Sequence, residues 1–132
     1  MNKLLLMALV AIGFLVSARA DIQVVVSICN QTAWLEDDER IIMTSPVSTA
    51  RRGMHTPTGT FAVSEKDASH ISTIYHVSMP FYMRLCGEPF GMHAGYLPGY
   101  PASHGCIRMP KNKAALFFKN VIVGTPVLIV PN

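Results

Sequence analysis

The sequence predicts a mainly β fold: a single sandwich or partly closed barrel carrying one short helix. Three observations point there. Short segments rich in β-branched and aromatic residues alternate in polarity along most of the chain. Turn formers punctuate them at close intervals, as in "RRGMHTPTG" and "GYLPGYPASHGC". A single stretch, "PKNKAALFFKN", has helical spacing.

Taken in order, "IQVVVSI" sets Ile22, Val24, Val26 and Ile28 on one face, the period of a half-buried strand. The polar "EDDER" predicts a turn and "IIMTSPV" the returning strand, so residues 22–45 read as one hairpin. "TFAV", "STIYHVSM" and "FYMRLC" are the next strands, with Pro80 expected to separate the last two. Pro110 suits the first turn of a helix whose apolar side is Ala114, Ala115, Phe117 and Phe118, with Lys111, Lys113 and Lys119 toward solvent. "PVLIV" closes the chain as a buried strand. Trp34 is read as surface or as cover for the core, His70 as a loop residue and His76 as a strand residue.

Residues 1–20 have a separate character. Lys3, an apolar run from Leu4 to Val16 and Ala18-Arg19-Ala20 form a secretory signal with a small-x-small cleavage site. The run is shorter than the roughly 20 residues a membrane-spanning helix needs, so no stable membrane span is expected after its removal. Residues 21–132 then form one domain, exported to the periplasm or cell wall. Without Lys3 and Arg19 the domain carries nine basic residues against eight acidic ones, which excludes an electrostatic nucleic-acid footprint. Three cysteines, Cys29, Cys86 and Cys106, leave at least one free thiol or an intermolecular bond in an oxidising compartment. Cys29 and Cys86 are either a disulfide or two free thiols.

The densest chemistry lies in "SHGCIRM", residues 103–109, with His93 upstream in "GMHAGY". A metal reading would use His93, His104, Cys106 and His55, but no CxxC or HExxH spacing supports it, so no metal is expected. A structural reading makes Cys106 a core filler, for which a Pro/Gly-rich loop is a poor setting. A nucleophile reading needs a thiolate, a base and oxyanion donors. Cys106 supplies the thiol, and the loop after His93 can fold that imidazole back to it. His104 is the weaker base, because residues two apart in extended chain do not converge. The N–H groups of Gly105 and Cys106 face a developing oxyanion in this reading, and Arg108 holds a substrate carboxylate. A helix start and Arg108 nearby are expected to depress the thiol pKa.

"HAGYLPGYPASHGCIRM", with "STARRGMHTPTGTF" and "MPFYMRL" upstream, resembles the YkuD-type L,D-transpeptidase family of bacterial cell-wall enzymes. The resemblance runs from about Gln31 to Val130 and is strongest over 46–61 and 79–110. It implies a sandwich-like catalytic domain acting on peptidoglycan stem peptides without metal or organic cofactor. It implies that Cys106 attacks the bond between the third residue, usually meso-diaminopimelate, and terminal D-alanine, and that an amine resolves the thioester. His93 would be the base, oriented by the backbone carbonyl of Ala94. His104, Gly105 and Arg108 match positions that shape the oxyanion and substrate sites, Ser103 opens the block, and Tyr82 and Met83 are candidates to line the donor groove. Resolution by water, giving a carboxypeptidase or cross-link hydrolase, and an idle wall-binding module are the alternatives. The family commonly has Ser-Thr-Gly where this chain has Ser48-Thr49-Ala50, which is expected to alter the turn there.

Overall fold

The computed structural model describes residues 21–132, so the expected leader at 1–20 lies outside the described residues. The strands are β1 (Ile22–Ser27), β2 (Thr32–Asp37), β3 (Arg40–Pro46), β4 (Gly59–Ile71), β5 (Ser78–Leu85), β6 (Gly91–Ala94), β7 (Ile107–Met109) and β8 (Pro126–Val130). One helix, α1 (Lys111–Asn120), lies between β7 and β8. The strands form one sheet in the order β3-β2-β1-β8-β4-β5-β6-β7.

The first departure from expectation is at residues 22–45, which make a three-strand meander instead of one hairpin. β1 pairs antiparallel with β2, and β2 with β3. β2, "TAWLED", was hidden because its polar ends blend into the turn; Ala33 and Leu35 alternate into the core with Trp34 half-buried on the other face. The turn falls at Asp38 and Glu39, both at positive φ, a region that Asp tolerates better than most residues.

β4 is the hinge of the architecture. Gly59 to Ala62 pair with β8, and Val63 to Ile71 pair with β5, with a register shift between Val63 and Glu65. Such a bulge bends a strand and lets it pass from one layer to another. The sheet curls far enough that its two end strands meet. Ser48, just past β3, donates its N–H to the Arg108 carbonyl at 3.0 Å, and the Arg108 N–H donates back to Ser48 at 3.0 Å. The mainly β, partly closed form with one short helix is thus the observed fold.

β4 runs well beyond "TFAV" through the polar "SEKDASHI", because this end is a two-stranded ribbon open to solvent. "STIYHVSM" is mostly the tip of that ribbon. Ser72 organises it, accepting N–H bonds at its hydroxyl from Ile74 and Tyr75. His76 sits in the tip at positive φ and His70 on β4, the reverse of their expected settings. Pro80 does not break β5. It pairs with Ser69 on one side, and β6 reaches only Met83 and Arg84, so the strand is an edge at Pro80, where proline is tolerated.

Below the sheet, Val24, Val26, Leu35, Met83, Leu85, Met92, Ile107, Met109 and Ile129 form the core, and α1 closes it through Ala114 and Phe117. Phe118 meets Phe81 edge-on at 5.6 Å, and the Lys66 ammonium lies 4.2 Å above the Phe118 ring.

Cys29 and Cys86 are free and exposed. The Cys29 N–H donates to Pro131, and the Cys86 N–H donates to Ala62, whose partner in β8 is Pro126. Five residues of strand between those anchor points span about 17 Å, far beyond the roughly 7 Å between α-carbons that a disulfide tolerates.

Gly91 is the glycine where the backbone of a neighbouring strand approaches most closely. A Cβ there would lie 2.2 Å from the Met83 carbonyl oxygen. Gly91→Ala is expected to destabilise the domain by roughly 3 kcal/mol, read as a lowered denaturant midpoint. An unchanged midpoint would show that β5 and β6 can separate freely.

Candidate active site

The parallel pairing of β6 and β7 builds the site. Its register is Met92 with Ile107, His93 with Arg108 and Ala94 with Met109. Met92, Ala94, Ile107 and Met109 point into the core. Alternation therefore turns His93, Arg108 and, one step back, Cys106 to the other face. There His93 and Cys106 both line a cavity of about 690 Å³ with Arg108, His104, Gly105, Ser103 and His55. Apolar residues from the β4–β5 tip, Ile74, Tyr75 and Val77, form one wall. This explains their alternating apolar pattern without burial in the core: they are largely exposed around the cavity.

His93 is buried and its Nδ1 lies 2.7 Å from the Ala94 carbonyl oxygen. A carbonyl can only accept, so Nδ1 carries the proton and Nε2 presents a lone pair. Nε2 is the one buried side-chain nitrogen or oxygen without a hydrogen-bond partner among the described residues. Burial, ahead of all other causes, holds the His93 pKa below its ordinary 6.5, opposed by the Ala94 bond and assisted by Arg108 and His70. The imidazole is therefore neutral at neutral pH.

Cys106 departs from expectation. α1 begins only at Lys111, with β7 intervening, so no helix start adjoins the thiol. Burial pushes its pKa above the ordinary 9.0, and the Gly91 N–H, Arg108 and Arg84 offset this only in part. The resting site holds a thiol and a neutral imidazole.

The turn before Cys106 is held from below. Ser103 is buried; its hydroxyl accepts the Gly105 N–H at 3.1 Å and donates to the Cys106 carbonyl. This corrects two expectations. The Ser103 hydroxyl proton is committed to the turn, so toward a substrate it can only accept, and the Gly105 N–H is taken, which leaves that of Cys106 for a ligand. Gly105 has φ +150, and a Cβ there would approach the His55 carbonyl to 3.2 Å. Thr56, given no role from the sequence, donates to the Gly105 carbonyl at 2.8 Å and accepts the Ala50 N–H at 2.9 Å. Gln31 ties Thr49 through both ends of its amide, and Ser48 donates to the Tyr100 carbonyl. Only the turn-rich composition of "HTPTG" hinted at this buried polar support. Ala50 sits in it without positive φ, so alanine in place of glycine leaves the turn intact.

His104 stacks on Tyr75 with ring centroids 4.5 Å apart. Among the described residues no three His, Cys, Asp or Glu side chains converge as a metal site. Arg108 runs its stem past Gly95, where a Cβ would come within 3.1 Å, and donates to the Tyr96 carbonyl at 3.4 Å. Tyr82 does not line the cavity. It is 2% exposed, packed between His70, stacked at 4.2 Å, and His93 at 6.1 Å. Burial, then the neighbouring Cys106, pushes its pKa to about 12, so it stays neutral as a wall behind His93. Met83 points into the core. His70 is in turn held by Asp67 at 3.3 Å.

A family model described as the YkuD, L,D-transpeptidase catalytic domain, matches residues 21–129. No curated protein matches the chain. Among solved structures, an L,D-transpeptidase from Mycobacterium tuberculosis superposes with a TM-score of 0.77 at 25% identity, over 84% of this chain and 58% of that one. One from Stackebrandtia nassauensis gives 0.78 at 22% identity, over 88% and 58%. One from Enterococcus faecium gives 0.75 at 24% identity, over 83% and 50%. The chain thus spans less than two thirds of the length of these proteins.

The free protein tests the protonation state directly. Near pH 7.5, iodoacetamide is expected to modify exposed Cys29 and Cys86 before Cys106, whose rate keeps climbing beyond about pH 9. Peptide mapping showing Cys106 labelled first at neutral pH would mean a thiolate already present at rest.

Proposed function

The chain belongs to the L,D-transpeptidase catalytic-domain family, and from that membership we propose that it is an exported peptidoglycan L,D-transpeptidase working in the periplasm or at the cell wall. The donor is a tetrapeptide stem. As the Cys106 sulfur attacks the carbonyl between the third residue and D-alanine, His93 Nε2 takes the thiol proton. The Cys106 N–H receives the oxyanion of the tetrahedral intermediate. The imidazolium then protonates the departing amine, D-alanine leaves, and a thioester remains. An amine of a second stem attacks the thioester; His93 removes its proton, and the sulfur leaves and regains a proton. The product is an amide cross-link. Arg108 receives the carboxylate of the leaving residue.

The observation that carries this reading is the unpartnered, buried Nε2 of His93 in the same cavity as the Cys106 thiol, with Nδ1 fixed by Ala94. Because thiol and imidazole both begin neutral, proton transfer accompanies attack, and charge forms only once substrate has displaced water.

Intact-mass measurement after incubation with tetrapeptide fragments is expected to show the tripeptide acyl-enzyme on the wild type and none on Cys106→Ala. Dimers joined through third residues indicate transfer. Trimmed monomers alone would assign the hydrolase instead, and product formation by Cys106→Ala would overturn the cysteine mechanism. The pH profile follows from the direction of the His93 shift. The base works above its own pKa, which lies below 6.5, so acylation is expected to hold through neutrality and fall only in more acidic buffer. His93→Ala should lower acylation at least about a hundredfold and His70→Ala far less. Equal losses in the two variants would remove His93 from the base role.

A further inference from the structure

Charge is distributed unevenly along the cavity. Its lining includes Arg108, neutral His93 and the further imidazoles of His55 and His104, but a single carboxylate, that of Glu88. Glu88 takes part in no ion pair among the described residues; the pairs there are Asp67 with His70 and Glu65 with Arg84. It is half-buried, held in a tight turn between β5 and β6. There the Glu88 N–H donates to Leu85 at 3.2 Å, the Leu85 N–H donates to Phe90 at 3.2 Å, and Gly87 supplies a φ of +78°.

The register gives this carboxylate a definite place relative to the sulfur. β6 and β7 run parallel, with Met92 level with Ile107 and His93 level with Arg108, so Gly91 and Cys106 stand one step before the paired residues. Glu88 lies in the turn that leads into Gly91, ahead of β6, whereas Arg108 lies two residues beyond Cys106. A peptide whose reacting carbonyl sits on the sulfur has a cation-seeking group to one side and an anion-seeking group to the other. Pro89 and Phe90 line the cavity beside Glu88, an apolar surface suited to an aliphatic stem ending in an amine.

We propose that Glu88 recognises the side-chain ammonium of the donor's third residue, while Arg108 takes the carboxylate of the residue that leaves; this rests on the acyl-transfer reading of the cavity. Glu88 is thereby a specificity residue that selects donors with a free primary amine on the acyl side of the scissile bond. It takes no part in bond making.

The test compares two tetrapeptides, one with meso-diaminopimelate at the third position and one in which that residue's side-chain amine is acetylated. Acyl-enzyme formation on the full chain is followed by intact mass. The wild type is expected to favour the free amine, and the ratio of kcat/KM values to fall about tenfold in E88Q. E88D should retain most of the preference, and added salt should weaken it in the wild type. E88Q is nearly isosteric, so a changed ratio reports charge and not unfolding. An unchanged ratio in E88Q, with acyl-enzyme still forming, would overturn the role of Glu88 and leave the acyl-transfer reading standing. Absence of acyl-enzyme on the wild type with both peptides would overturn both.

Discussion

The hydrogen bond from His93 Nδ1 to the carbonyl of the very next residue, Ala94, is the constraint on which the rest of the site depends. An imidazole has two nitrogens and, when neutral, one proton. Fixing that proton on Nδ1 leaves Nε2 able only to accept. The bond requires His93 to sit in a strand whose neighbours are wholly buried, so that neither water nor another side chain competes for the carbonyl. β6 meets that condition with all four of its residues buried. The parallel pairing with β7 then carries Cys106 and Arg108 onto the same face.

Burial has a second consequence. It disfavours charge on both partners, raising the thiol pKa and lowering that of the imidazole. The domain stores no thiolate–imidazolium pair, and a standing thiolate is the form most open to oxidation. The same shift bears on stability. The native state resists protonation of His93 that the unfolded chain accepts below 6.5, so this residue contributes stability above that pH and loses it as the medium becomes more acidic.

Much of this was legible in the chain. The "SHGCIRM" block and the "GMHAGY" strand carry short-range patterns, and their parallel pairing, with His93 beside Arg108 and Cys106 two residues before it, brings the side chains to one face. The fold class followed from alternation and turn formers. What escaped was long-range. Pro80 looked like a breaker because sequence does not reveal that β6 covers only one end of β5. Ile74, Tyr75 and Val77 looked like a strand because a cavity wall and a core face use the same residues. Tyr82 looked like a groove residue, yet the His70 stack buries it. The thiol's pKa was misjudged because proximity to a helix start was read along the chain, whereas desolvation depends on what packs around the sulfur. The buried bonds of Thr56, Gln31 and Ser48 escaped for the same reason: their partners are 18 to 52 positions away.

The central claim is that the resting pair is neutral, with the His93 proton on Nδ1. Nitrogen-15 NMR of the imidazole across a pH series measures this most directly. The account predicts a protonated Nδ1 and an unprotonated Nε2 through neutrality, with imidazolium appearing only below about pH 6.5. Imidazolium persisting at pH 7, or a proton resident on Nε2, would contradict it.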